Sequence, residues 1–193
     1  MFVWTNRGRP EVAACFYTYQ PRGNEEMLDH EFQSLAAGRV TAERRNEVVW
    51  NPARAGTEIR PVPDAAEPAE TAGVRLRQMR ALATEFKAFF DLPDNRSELR
   101  LLPQPLYRYE STAPELLDGA MFAFVQATDP EVLLLVEARM HDGRFRWHYG
   151  LARMSMVNLR AAHKEQEVWK VPWWDRTEGP RGPYITMVHK LDE

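Results

Sequence analysis

The residues Met1–Val12, MFVWTNRGRPEV, align without a gap on Met121–Val132, MFAFVQATDPEV, at an offset of 120. Five of the twelve positions are identical. The match continues downstream with small changes of offset that fall where turns are expected. A slip inside a strand would move every side chain to the opposite face, whereas a turn tolerates an extra residue. The sequence therefore predicts an internal repeat over residues 1–62 and 119–190.

Each copy of the repeat has the pattern of consecutive antiparallel strands separated by turns. Gly, Pro and Asn at the breaks, as in Pro21–Asn24 and Asp142-Gly143, suit the backbone angles of hairpin turns. The strands predicted in the first copy are Phe2–Asn6, Val12–Gln20, Leu28–Ala36, Val40–Trp50 and Thr57–Val62. Those predicted in the second copy are Ala120–Gln126, Val132–Met140, Arg144–Met154, Val157–Trp169 and Tyr184–Val188.

A linker and a helix are predicted between the two copies. The prolines and small residues of Arg60–Glu70 are typical of an extended linker. Thr71 is a typical helix cap, and Leu92-Pro93 is a typical helix stop. Apolar residues between them recur at three- and four-residue spacing: Met79, Leu82, Ala83, Phe86, Phe89 and Phe90. Beyond the helix, Leu99–Glu110 is predicted as a strand interrupted by prolines, which lies at a sheet edge or is bulged.

These patterns together predict an α+β fold. The fold is expected to be mainly antiparallel β, built from two tandem β-meander repeats, with one long helix between them packing on the sheet. The chain has 193 residues, the length of one ordinary domain. We therefore predict a single domain over 1–193, with the linker and helix at 63–98.

Composition and charge exclude several classes of protein. Twenty-five Lys and Arg against 28 Asp and Glu give a net charge of −3, which produces no field that attracts phosphate backbones or anionic lipid. Apolar stretches such as Val132–Val136 are far shorter than the roughly 20 residues needed to cross a bilayer. The N-terminus lacks the residue order of a signal peptide. We expect a cytoplasmic protein that binds neither nucleic acid nor membrane.

Signals for metals and cofactors are also lacking in the sequence. Cys15 is the single cysteine and lies in an apolar strand pattern, which favours a core residue over a nucleophile and excludes a thiolate metal cage. The histidines have no short ligand spacing. Neither a phosphate-binding loop nor a dinucleotide-binding glycine pattern occurs. The prediction is no metal and no cofactor.

Short motifs are spread along most of the chain: Trp4-Thr5, Gly8–Glu11, His30–Leu35, Val49-Trp50, Arg75–Met79, Leu101–Glu110, Asp118–Ala120 and Thr128–Glu131. Together they resemble an uncharacterised family of bacterial proteins with no assigned activity. Similar members carry a Pro-containing strand ahead of the Trp-Thr segment. The resemblance therefore implies a native N-terminus longer than the present one and an unpaired sheet edge here.

Two histidines stand at equivalent positions of the repeat. A pseudo-twofold fold could bring His30 and His148 together for metal binding or acid-base chemistry, with Glu31 and Tyr149 lining the pocket between the repeats. The simpler interpretation is that histidine suits a half-exposed strand. Because Glu31 is adjacent to His30 on a predicted strand, the two side chains should point to opposite faces.

A Trp-rich segment is inserted in the second copy. Trp173 and Trp174, followed by Tyr184, could stack on a sugar ring, a peptide or a partner protein. The alternative, which we favour, is a loop that folds back and plugs the open end of the sheet.

The preferred function is a non-catalytic binding or assembly module. Its partner would be a protein or a small molecule, and an open sheet edge would offer a route to a homodimer. The alternative is a small hydrolase that uses His30, His148 and Glu31. An enzyme is the less favoured of the two because the sequence shows no convergent catalytic set.

Overall fold

A computed structural model describes residues 1–20, 25–92 and 95–190 of the chain. Within these residues the protein is mainly antiparallel β-structure with one α-helix, as the sequence predicts. In chain order the elements are β1 Phe2–Asn6, β2 Arg9–Tyr19, β3 Met27–Ser34, β4 Ala42–Arg44, β5 Glu47–Trp50, β6 Ile59–Pro61, α1 Ala72–Thr84, β7 Phe86–Leu92, β8 Asn95–Leu101, β9 Tyr107–Tyr109, β10 Leu116–Gln126, β11 Asp129–His141, β12 Arg144–Arg153, β13 Leu159–His163, β14 Gln166–Val171, a 3₁₀ helix Arg176–Arg181 and β15 Tyr184–Lys190. The described part of the chain holds no helix long and apolar enough to cross a membrane.

The described residues divide into two compact units. The small unit comprises residues 1–5, 10–57 and 175–190, and the large unit comprises residues 6–9 and 58–174. This division does not confirm the predicted repeat. Strand β15, which ends the predicted second copy, lies in the small unit, whereas β6, which ends the first copy, lies in the large unit.

The small unit is built on an antiparallel sheet with the described strand order β1-β2-β3-β15, here called the small sheet. Val12 stands opposite Ser34 and Tyr19 opposite Met27, so β2 and β3 form a hairpin whose connection, the predicted turn 21–24, lies outside the described residues. Strand β15 pairs with the other side of β3, with Met187 opposite His30. Side chains on these three strands alternate between two faces.

Strands β4 and β5 form a separate hairpin in the small unit. The prediction of one continuous strand over Val40–Trp50 is therefore wrong. Arg45 and Asn46 sit at its centre with φ of 52° and 66°, which turns the chain back on itself. Trp50, at the end of β5, is buried, and its indole Nε1 donates a 2.9 Å hydrogen bond to the carbonyl of Gly182.

The large unit contains a larger antiparallel sheet with the described order β14-β13-β7-β8-β10-β11-β12-β6, and β9 pairs with β10. This large sheet buries one face against α1. Met79 and Ala83 of the helix belong to the same core as Phe122 and Leu134 of the sheet. The predicted packing of a helix on a sheet is thus confirmed. Asp142 and Gly143, with φ of 49° and 78°, form the predicted hairpin between β11 and β12.

The helix is shorter than predicted. It ends at Thr84, and the residues Phe86–Leu92 form strand β7 between β8 and β13. Phe86 and Ala88 are buried, which is the alternation of a strand, whereas the sequence also fits helical spacing through Phe89 and Phe90. Short apolar runs are ambiguous in this way, and pairing on both sides favoured the strand. The predicted stop at Pro93 lies outside the described residues.

Two other predicted strands are divided. The single strand predicted over Val157–Trp169 is wrong, because it is the hairpin β13–β14, turned at Lys164 with φ of 54°. The strand predicted over Leu99–Glu110 is interrupted between Leu101 and Tyr107, where its two prolines lie. Proline lacks the N–H that a sheet ladder needs, so the break follows from the residues themselves.

Candidate functional site

Aromatic rings gather on one face of the small sheet. Residues two apart on a strand share a face, so β1 supplies Phe2 and Trp4, and β3 supplies His30 and Phe32. The seven rings in mutual contact, called the ring cluster, are Phe2, Trp4, Phe16, His30, Phe32, Trp50 and His189. Neighbouring ring centroids lie between 4.7 and 6.5 Å apart. The sheet and the β4–β5 hairpin thus build one continuous aromatic surface.

The ring cluster is buried at one end and open at the other. Trp50 is 1% exposed, whereas Phe16 is 40%, Trp4 49% and Phe2 58% exposed. Scattered exposed apolar residues are ordinary, but contiguous exposed aromatic side chains are typical of ligand or partner sites. Three such side chains lie next to one another here, since Phe2 contacts both Trp4 and Phe16.

Two pockets adjoin the ring cluster inside the small unit. The first, of about 300 Å³, lies between the sheet face and β4, and its walls include Phe16, His30 and His189. The second, of about 460 Å³, has Trp4 and Trp50 in its walls. Both pockets have Phe32, Ala42 and Glu43 in their walls, so the two are neighbours beside β4. Their volumes are within the range of small-molecule sites, which runs from about 300 to 1,000 Å³.

A pair of stacked histidines lies in the wall of the first pocket. The imidazoles of His30 and His189 are 4.7 Å apart and inclined by 22°. Nη1 of Arg44 lies 2.9 and 3.1 Å from the two ring nitrogens of His189. His30 is 8% exposed, and its buried Nδ1 has no hydrogen-bond partner among the described residues. Burial lowers the pKa of His30, and so do His189 and Arg44, while Asp29 opposes them.

The carboxylates of β3 lie on the face opposite to His30. The hydroxyls of Tyr17 and Thr186 donate to Asp29 at 3.1 and 2.8 Å, and the hydroxyl of Tyr184 donates to Glu31 at 2.5 Å. Glu31 is therefore engaged away from the ring cluster, in agreement with the alternation predicted for adjacent residues. Neither of these two carboxylates hydrogen-bonds to Nδ1 of His30.

His148 lies in the large unit, on β12. Its Nδ1 is 3.0 Å from the carbonyl oxygen of Arg146, and its partner across the ladder is Glu137 of β11. Burial is the main cause of the lowered pKa of His148. Glu137 is fully buried and accepts hydrogen bonds from the side chains of Arg9, Arg139 and Tyr109. These hydrogen bonds engage both carboxylate oxygens of Glu137 within the fold. The predicted catalytic use of His30, His148 and Glu31 stays a prediction.

The predicted aromatic binding residues have unequal surroundings. Trp173 is 52% exposed, and Trp174 is half-buried with its backbone N–H bonded to the carbonyl of Met156. Tyr184 is 1% exposed and belongs to the small unit, on β15, whereas both tryptophans belong to the large unit. The binding role of Trp173, Trp174 and Tyr184 stays a prediction.

A polar pocket of about 550 Å³ lies in the large unit beside His163. Nε2 of His163 is 2.9 Å from Oε2 of Glu85, so this histidine has the carboxylate partner that His30 lacks among the described residues. The described wall of the pocket is formed by Pro63, Asp64, His163, Lys164, Glu165 and Gln166. This wall contains no Ser, Thr or Cys that the histidine could activate as a nucleophile.

Sequence reasoning identified His30 but not the ring cluster around it. The signal was present in part, because Phe2 and Trp4, like His30 and Phe32, are two residues apart in predicted strands. The contact between Arg44 and His189 joins residues 145 positions apart, so no local sequence pattern predicts it. Among the described residues, no group of three or more His, Cys, Asp or Glu side chains is arranged to hold a metal ion.

Comparison with protein-family models, curated proteins and solved structures finds no match to this chain. The grounds for proposing a function are therefore the geometry and chemistry of the ring cluster and its two pockets.

Proposed function

We propose that the protein is a non-catalytic binding module whose ligand is a small apolar molecule held against the ring cluster. The observation that carries this proposal is the run of exposed aromatic side chains, Phe2, Trp4 and Phe16, of which Phe16 and Trp4 each line a pocket beside β4. Aromatic and aliphatic walls with a few polar groups are typical of small-molecule sites.

The polar groups near the pocket favour binding over catalysis. In the described residues no carboxylate hydrogen-bonds to Nδ1 of His30, so no acidic group there orients the ring as a general base. Glu31, the carboxylate that the hydrolase alternative requires, bonds to Tyr184 on the opposite face. The hydrolase alternative gains no support from these contacts.

The exposed edge of the aromatic surface also bears on partners. Strands β1 and β15 are the end strands of the small sheet in the described part of the chain. Assembly of a homodimer through such an edge remains our prediction from the sequence. We give preference to a small-molecule ligand because the pockets lie within one unit and have the volumes of such sites.

The test is a fluorescence titration with the neutral dye N-phenyl-1-naphthylamine, whose emission rises in apolar surroundings. Phe16→Ala removes an exposed ring from the pocket wall, and we expect the Kd for the dye to rise at least fivefold. Trp173→Ala is the matched control, because it removes an exposed ring from the other unit and should leave the Kd unchanged. No dye binding, or loss of binding in Trp173→Ala alone, would overturn the proposal.

A further inference from the structure

The end of the first pocket near Arg44 has the chemistry of an anion site. We propose that the ligand is an amphiphile with an apolar body and a carboxylate or similar anionic group, and that Arg44 and His30 receive that group. This inference rests on the proposed function and specifies its ligand class. The apolar body would lie along Phe16 and Phe32, and the anion would lie beside the stacked histidines.

Arg44 is the cation best placed to receive an anion. Its Nη1 contacts the His189 ring, and no carboxylate among the described residues ion-pairs with it. A guanidinium carries five N–H donors, and the contact with His189 engages one nitrogen. The remaining donors suit a planar, bidentate acceptor such as a carboxylate. Lys190 also lines this pocket, but its ammonium is paired with Glu25 at 2.7 Å.

His30 supplies a second, independent observation. It is more than nine-tenths buried, it lines the same pocket, and its Nδ1 has no hydrogen-bond partner among the described residues. Buried polar atoms without a partner are rare in native structures, because burial removes the hydrogen bonds that water would supply. Among the described residues that carry such an atom, His30 is the one in the wall of this pocket, and we take its ring as the second group that receives the polar end of the ligand.

The electrostatic surroundings of His30 agree with an anion rather than a cation. After burial, His189 and Arg44 lower the pKa of His30, and the guanidinium of Arg44 on β4 is the permanent positive charge near the ring. Asp29 raises this pKa, but its side chain belongs to the other face of β3. Glu43 is the acidic side chain in the described wall of this pocket, and it is also part of the second pocket.

The test compares two ligands of equal chain length that differ in charge. Decanoate and 1-decanol displace the neutral dye, and their Kd values are obtained from the displacement curves. For the unaltered protein we expect decanoate to bind at least tenfold more tightly than decanol.

Charge variants then locate the anion. Arg44→Gln should weaken decanoate about tenfold more than it weakens decanol or the dye. Arg39→Gln, which alters an exposed arginine of the same unit outside the pocket walls, should leave the Kd values of both ligands unchanged. His30→Phe keeps a ring in the stack but removes the ring nitrogens, and it should weaken decanoate about threefold more than it weakens decanol.

The outcomes separate the two proposals. If the dye, decanol and decanoate all fail to bind, the proposed function is wrong. If decanol and decanoate bind equally, or if Arg44→Gln weakens both to the same extent, the apolar site stands and the anion preference is wrong.

Discussion

Apolar residues alternate along the strands of both sheets, but the apolar faces of the two sheets are covered to different extents. In the large unit, α1 covers one face of the sheet, and Phe122 on that face is 1% exposed. In the small unit, the face that carries the ring cluster is covered in part by the β4–β5 hairpin, and Phe16 on that face stays exposed. An apolar face that is sealed contributes to stability, whereas one left open is available to a ligand.

One buried polar group from each unit shows the same contrast. In the large unit, the buried Asp118 accepts hydrogen bonds from Arg75 and Arg108 at 2.8 Å. In the small unit, Nδ1 of His30 has no partner among the described residues, and Arg44 contacts a histidine instead of a carboxylate. A satisfied buried group stabilises the fold, whereas an unsatisfied one in a pocket wall is a candidate for contact with a ligand.

The largest difference in the free energy of unfolding is expected between variants of one phenylalanine from each sheet. Phe122→Ala should lower the free energy of unfolding by about 3–5 kcal/mol, because it opens a cavity in a closed core. Phe16→Ala should lower it by less than about 1 kcal/mol, because this ring is already partly in water. Urea unfolding followed by circular dichroism measures both. Equal losses for the two variants would remove the distinction between a structural face and a binding face.

The next effect concerns the buried charge of the large unit. Asp118→Asn should lower the free energy of unfolding by about 2–4 kcal/mol, because it leaves the buried Arg75 without its anionic partner. The control is Glu167→Gln, which removes one member of a more exposed pair with Arg160 and should cost less than about 1 kcal/mol. Urea unfolding of both variants tests the difference, and a loss at Asp118 as small as at Glu167 would contradict it.

Glu131, in the large unit, should make the free energy of unfolding depend on pH. Burial is the main cause that raises its pKa from 4.5 to about 7, a side-chain hydrogen bond with Ser155 opposes it, and Asp129 adds to it. The folded state therefore holds this proton more tightly than the unfolded chain does. The contribution of Glu131 to stability is full below pH 4.5 and is lost as the pH rises through about 7.

Glu131→Gln imitates the neutral carboxyl at every pH. The variant should match the unaltered protein near pH 4.5 and exceed its stability at pH 8 by up to about 3 kcal/mol. Thermal or urea unfolding at several pH values measures the gain. A gain that is constant with pH would show that the ionised carboxylate costs nothing here.

The smallest expected effect belongs to the proposed anion site. Arg44→Gln should change the free energy of unfolding by less than about 0.5 kcal/mol, because Arg44 is exposed and makes no ion pair with a carboxylate in the described residues. Urea unfolding alongside the Arg39→Gln variant checks this value. A large loss would assign Arg44 a structural role instead of a binding one.

Much of the β-structure follows from local patterns. The extent of β1 and the turn at Asp142-Gly143 are as predicted, because alternation and positive φ are short-range properties. The predicted hairpin turn within Pro21–Asn24 lies outside the described residues. The turns at Asn46 and Lys164 escaped prediction, because neither turn contains a glycine to announce positive φ.

The sequence by itself determined that the chain would be mainly antiparallel β with a helix after Thr71, since side-chain spacing and turn residues act over a few positions. It also placed His30 on one face of a strand and Glu31 on the other. Only the tertiary structure decided that Phe86–Leu92 would be a strand, because its two neighbours, β8 and β13, complete its hydrogen bonds. The same holds for the candidate site. Arg44 and His189 meet only when the β4–β5 hairpin and β15 come together, and burial, which no local pattern encodes, then leaves Nδ1 of His30 beside them without a partner among the described residues.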